Sequence, residues 1–193
     1  MPLSPSSPRR ALKHTRAIQI EAYARDDGLW DLDAHITDIK TRDAKLASGI
    51  RPVGQPMHDL WLRVTIDRQL YIVDAEAVSD AVPYPSYCDT IGLDYRKLVG
   101  LNLMKGFRAD VKMRLAGTKG CTHLTELAQV LPTAAIQAFA GEVFDTRDGA
   151  SAKEQTEKPF QFDRCHALRS DGAAVAKYYP RWAVTPAPVI KAG

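Results

Sequence analysis

From His14 onward, apolar and polar residues alternate with period two, the spacing of a strand that buries one face. "TRAIQIEAYAR" places Ile18, Ile20 and Ala22 on one side and Gln19, Glu21 and Tyr23 on the other. "DDG" at 26–28 is a turn signal. "LWDLDAHITDIK" alternates again, with Leu32, Ala34 and Ile36 against Asp31, Asp33, His35 and Thr37. Two such runs around a glycine turn predict a β-hairpin. "DAKLASGIRPVGQP" (43–56), with two glycines and two prolines, reads as a connecting loop. "HDLWLRVTID" gives a third strand, with Leu60, Leu62, Val64 and Ile66 inward and Asp59, Trp61, Arg63, Thr65 and Asp67 outward. After "DRQ", "LYIVDAEAVSD" gives a fourth, with Tyr71, Val73, Ala75 and Ala77 opposite Ile72, Asp74, Glu76 and Val78.

The period then changes. "PYPSYCDTIG" reads as a Pro-rich turn, and "DYRKLVGLNL" and "FRADVKMRLAG" carry helical spacing. "CTHLTELAQVLPTAAIQAFAGEVF" puts Leu124, Leu127, Ala128 and Leu131 on one stripe. Pro132 is expected to kink or split that helix, and Thr122 is a candidate N-cap. Residues 145–159 read as a polar loop, with Phe160 and Phe162 as anchors after it, and "AAVAKYYPRW" as a last helical turn or two. The expected class is α+β: a four-stranded antiparallel sheet of two hairpins, followed by helices packed on one face. The expected organisation is a flexible arm at 1–13, a single domain over 14–182 and a tail at 183–193.

Composition narrows the functional classes. The chain has 193 residues with a net charge of +3, and its 26 basic residues are interleaved with 23 acidic ones. That balance argues against a nucleic-acid partner, whose binders cluster Lys and Arg on one face. No apolar run reaches the length of a membrane span, and the N-terminus lacks the apolar core of a signal peptide. Three cysteines, Cys88, Cys121 and Cys165, are too few for a disulfide framework and suit a reducing cytoplasm.

Two places carry candidate chemistry. The outward sheet face stacks Glu21 with Tyr23, Asp33 with His35, Asp59 with Trp61 and Arg63, and Asp74 with Glu76. Grouped carboxylates raise one another's proton affinity, which suits acid/base work, and Trp and Tyr can wall an aromatic-binding pocket. The same set also suits cross-strand ion pairs or a homodimer contact. The second place is "GCTHLTEL" (120–127), where Cys121 and His123 open the long helix. With Cys165 and His166 of "DRCHAL" they offer the ligand types of zinc or iron, without the pair spacing of a strong zinc motif. Buried cysteine packing is the plainer reading. His58 of "MHDLW" points to the apolar side in this register, where it could meet His123. No Gly-rich phosphate loop, G-x-S-x-G or H-E-x-x-H occurs.

The ordered segments "PRR", "YARDDGLWDLDAHITDIK", "HDLWLRVTID", "DAEAVSDAVPYP", "GCTHLTEL", "CHAL" and "YYPRW" resemble an uncharacterised bacterial domain-of-unknown-function family over most of residues 8–182. The resemblance implies a role in the breakdown of plant-derived, lignin-type aromatic compounds and formaldehyde-releasing lyase chemistry on them. It carries over no catalytic residue. The sheet followed by helices, with a cysteine after a glycine at a helix start, is also similar to iron–sulfur scaffold proteins.

The expected function is therefore a cofactor-independent C–C lyase acting on a small aromatic substrate. Asp33, His35 or Asp59 would serve as base, Arg63 would stabilise charge, Tyr23 and Trp61 would stack the ring and Asp74 would also bind substrate, with His123 and Cys121 as the rival centre. The alternative is a metal- or iron–sulfur-binding accessory protein using Cys121, His123, Cys165 and His166.

Overall fold

The computed structural model describes residues 3–4, 6, 8–144, 158–159 and 161–184. Most of the expected polar loop at 145–159, Phe160 and the tail beyond Val184 lie outside the described residues. The chain divides into two compact units, residues 1–138 and 139–193.

The first unit is built on a four-stranded antiparallel sheet. Strands β1 (His14–Ala24), β2 (Trp30–Lys40), β5 (Pro56–Ile66) and β6 (Ile72–Ala81) lie in the order β1-β2-β5-β6. Between β2 and β5, the segment expected to be a plain loop forms a small hairpin of β3 (Ala44–Leu46) and β4 (Gly49–Arg51). Leu32, Ala34, Ile36, Leu60, Leu62, Val64 and Ile66 are all buried, as the alternation requires.

The sequence register of the fourth strand needs one correction. Ile66 pairs with Ile72 while Thr65 pairs with Asp74, so Val73 is an extra residue in a β-bulge. The bulge lets Ile72 and Ala75 both enter the core. Strict alternation had put Ile72 on the polar side with Asp74.

Helices follow. A 3-10 helix over Cys88–Leu98 takes up part of the expected Pro-rich turn. It lies against β6, where a Cβ on Gly92 would sit 2.6 Å from the Ala77 carbonyl oxygen. Helix α1 spans Phe107–Leu115 and α2 spans Thr122–Phe139. Pro132 does not split α2. Leu124, Leu127, Ala128, Leu131 and Ala135 are fully buried around it, and packing of that stripe outweighs the one backbone hydrogen bond a proline forfeits. In the second unit, α3 (Ala173–Tyr178) buries Val175, and Phe162 meets Tyr179 edge-on.

Candidate functional site

The apolar face of the sheet does not stay apolar to its end. Two residues before Ile18 on β1 stands Arg16, two after Ile36 on β2 stands Asp38, and two before Leu60 on β5 stands His58. The register puts Arg16 opposite Asp38 and Asp38 opposite His58, so the three form one row across three strands. Because side chains alternate with period two, this row projects from the same face as the core. The start of α2 brings His123 to the row, and Arg16 Nη1 donates to Glu126 Oε2 of the same helix at 2.5 Å.

Asp38 is the hub, with its side chain only 4% exposed. Its Oδ1 accepts from Arg16 Nε at 2.9 Å and lies 2.7 Å from His14 Nε2. Its Oδ2 accepts from Arg16 Nη2 at 2.8 Å and lies 3.0 Å from His58 Nδ1, with His123 Nε2 at 3.6 Å. The His58 and His123 rings face each other, 3.7 Å between centroids and 30° between planes. Their side chains remain 18% and 22% exposed, so solvent reaches both.

Burial works against an ionised Asp38, but hydrogen bonds from Arg16 and His14 and the Arg16 charge outweigh it and hold the carboxyl far below the usual range. Burial lowers the proton affinity of His58 despite its bond to Asp38. It lowers that of His123 too, with His58 and Arg16 adding repulsion. A carboxylate and two neutral imidazoles thus share one end of the core face. Their ligand atoms all lie within 4.8 Å of one another, the group among the described residues that could hold a metal ion.

Tyr95 fixes the helix that delivers His123. It is fully buried. Its hydroxyl donates to the Cys121 carbonyl at 2.8 Å, accepts from Cys121 N–H at 3.1 Å and lies 2.8 Å from Thr125 Oγ1. Burial pushes the Tyr95 hydroxyl pKa up to about 12, so it stays a neutral donor. Thr122, expected as the cap, is the first helical residue instead, and Tyr95 meets the orphan N–H before it. Gly120 is required here for space: a Cβ would come within 2.5 Å of the Leu115 carbonyl oxygen.

The outward face carries the other expected residues, and there the carboxylates are paired. Asp33 takes two 2.6 Å hydrogen bonds from Arg63, and Asp59 Oδ1 lies 2.6 Å from His35 Nε2. His35 stacks on Trp61 at 3.7 Å and 6°. Tyr23 donates to Glu21, and Trp61 Nε1 to Asp80. Asp74 accepts from the Ala75 backbone. A cavity of about 280 Å³ on this face is lined by Asp33, Trp61, Leu62, Arg63, Glu76 and Val78.

Cys121 Sγ lies 4.0 Å from His123 Nδ1. Cys165 and His166 belong to the second unit and are not in the Asp38 group. All three cysteines are free thiols. His14, Arg16 and Asp38 are site residues that the sequence reading passed over. Their signal was present: an ionisable residue closing each apolar stripe at the same end of the sheet.

A family model described as a protein of unknown function, DUF2889, matches residues 14–137, and the chain belongs to that family. No curated protein and no solved structure matches it. No helix among the described residues is long and apolar enough to cross a membrane.

Proposed function

We propose that this member of the DUF2889 family is a small-molecule enzyme whose reacting centre is the end of the core face, where Asp38, His58 and His123 converge. The observation that carries this reading is a nearly buried carboxylate shared by two imidazoles, each about a fifth exposed, drawn from different elements. A buried ionic cluster is a costly way to close a core, and two uncharged imidazoles open to solvent are proton acceptors at neutral pH. The role in lignin-type aromatic breakdown expected from the sequence makes a C–C lyase releasing formaldehyde the reaction to test first. In such a step a base removes the proton of a primary hydroxyl. The C–C bond then breaks to leave formaldehyde, and its electron pair passes to the aromatic fragment and is protonated. His58 or His123 takes that proton, and the imidazolium so formed returns it to the carbanion, which leaves the site as it began.

A second reading keeps the chemistry on the outward face. It is favoured by the Asp59–His35 pair, whose imidazole stacks on Trp61, a residue that lines the 280 Å³ cavity together with Arg63. One assay separates the two. Lignin-type dimers bearing a primary hydroxyl are incubated with wild type, with His58→Gln/His123→Gln and with His35→Gln/Asp59→Asn, and formaldehyde is measured. Loss in the first variant alone supports the core-face centre. Loss in the second alone transfers the reaction to the outward face. No release by wild type removes the lyase reading.

A further inference from the structure

The Asp38 group has the composition of a metal site that no cysteine enters. We infer that Asp38, His58 and His123 bind one divalent first-row transition-metal ion, zinc or iron(II), leaving coordination positions open to water or substrate. The inference rests on the reading that this cluster is the reacting centre and adds the cofactor to it, in place of the cofactor-free chemistry expected from the sequence.

Three observations support it. The first is the donor set. Two imidazoles and one carboxylate suit zinc and non-haem iron, and three protein ligands leave the open positions of a catalytic rather than a structural site. The second is spacing. Bonds of about 2.0–2.2 Å to a shared ion place ligand atoms no more than about 4 Å apart; the three atoms here lie within 4.8 Å, a gap that side-chain rotation closes. The ion would take the place of the His58 hydrogen bond at Asp38 Oδ2. The third is the outer layer. Arg16 holds Asp38 through two nitrogens and is itself held by Glu126, while His14 sits on the other carboxylate oxygen. Partners of this kind orient ligands and are part of working metal sites.

The charge balance gives the open positions a preference. The Arg16 and Arg51 guanidinia both bear on His58, and Asp38 and Glu126 offset them. A divalent ion then adds two positive charges without compensation. Hydroxide, an alkoxide or a carboxylate would occupy the open positions.

The test uses the full chain, stripped with chelator. Zinc and cobalt(II) are titrated by calorimetry, and iron(II) under anaerobic conditions. The expected result is one ion per chain for wild type, with a higher melting temperature in the loaded protein. His58→Gln and His123→Gln should lose binding at concentrations that saturate wild type, and Cys165→Ala and His166→Gln should retain it. The cobalt(II) spectrum of wild type provides a readout that needs no variant to fold. Nitrogen and oxygen ligation without a thiolate charge-transfer band supports the site. Such a band, no binding by wild type, or binding that survives both histidine variants overturns it. Formaldehyde assays run on the same stripped and loaded samples keep the two proposals apart. Binding without turnover leaves the metal site standing and removes the lyase; turnover by stripped protein that takes up no ion does the reverse.

Discussion

Tyr95→Phe is a one-atom perturbation that reports on how the site is held. The ring is fully buried and the hydroxyl bridges Cys121 N–H, the Cys121 carbonyl and Thr125 Oγ1. The carbonyl keeps a second partner, the Thr125 N–H at 2.9 Å. The Cys121 N–H has no other partner among the described residues. The change therefore loses a net hydrogen bond, about 1 kcal/mol, and strands a part-buried donor, a further 1 kcal/mol or so. A loss of about 2 kcal/mol corresponds to roughly 4–8 °C in melting temperature for a chain of this size. Urea unfolding followed by circular dichroism measures it, with an unchanged denaturant slope as the sign that the native state is otherwise intact. His123 lies two residues beyond Cys121, so metal affinity should fall in the same variant. A stability change below about 0.5 kcal/mol, the range of an ordinary surface substitution, would refute the claim that this hydroxyl anchors the start of α2.

Two further outcomes follow from the same region. Gly120→Ala should destabilise by about 1–3 kcal/mol in urea unfolding, as overpacking does, since its Cβ would press on the Leu115 backbone; Gly117→Ala probes a different cost, at a φ of 63° with open space around it. In the metal-free chain, stability should fall on acidification. His58 and His123 bind protons less tightly folded than unfolded, so the unfolded chain gains protons first as pH drops through about 6.5. The Asp38 contribution is lost lower still, below an unfolded value near about 3.9. Urea midpoints at neutral and mildly acidic pH measure the upper step, which His58→Gln/His123→Gln should flatten.

Much of the sheet was legible because period two is a strong signal on a half-buried surface. Leu32 to Ile36 and Leu60 to Ile66 are buried as their alternation requires. Where the backbone added a residue, at Val73, alternation failed and Ile72 was put on the polar side. A bulge leaves no mark in side-chain chemistry. The meeting of His58 with His123 followed from the face assigned to His58. Asp38 was missed for a different reason. On one strand it is merely the first polar residue after an apolar run, and a strand end predicts that. Only the register, which aligns Arg16, Asp38 and His58, turns three strand ends into one constellation. Register is set by pairing across the sheet and is not carried by any one strand. The outward carboxylates drew attention for their number, yet Asp33, Asp59 and Glu21 are each hydrogen-bonded to a neighbouring side chain.

The polar row can be tested as a departure from the best possible core. Asp38→Asn removes one charge from a nearly buried network and leaves Arg16 with Glu126 alone. Breaking a buried pair in this way should cost about 3 kcal/mol, the low end of the usual range because Arg16 is a third exposed. Replacing the network as a whole has the opposite expectation. With Arg16→Met, Asp38→Leu, His58→Leu and His123→Leu together, no nearly buried charge is left unpaired, since Glu126, which loses Arg16, is 40% exposed, and the apolar stripes of β1, β2 and β5 each run on by one residue. Such swaps are neutral or stabilising by about 1–4 kcal/mol. The combined variant should therefore unfold at an equal or higher urea concentration than the metal-free wild type while binding no metal. If it is instead destabilised by several kcal/mol, the row is a structural keystone for α2 and the argument that it is kept for chemistry loses its basis.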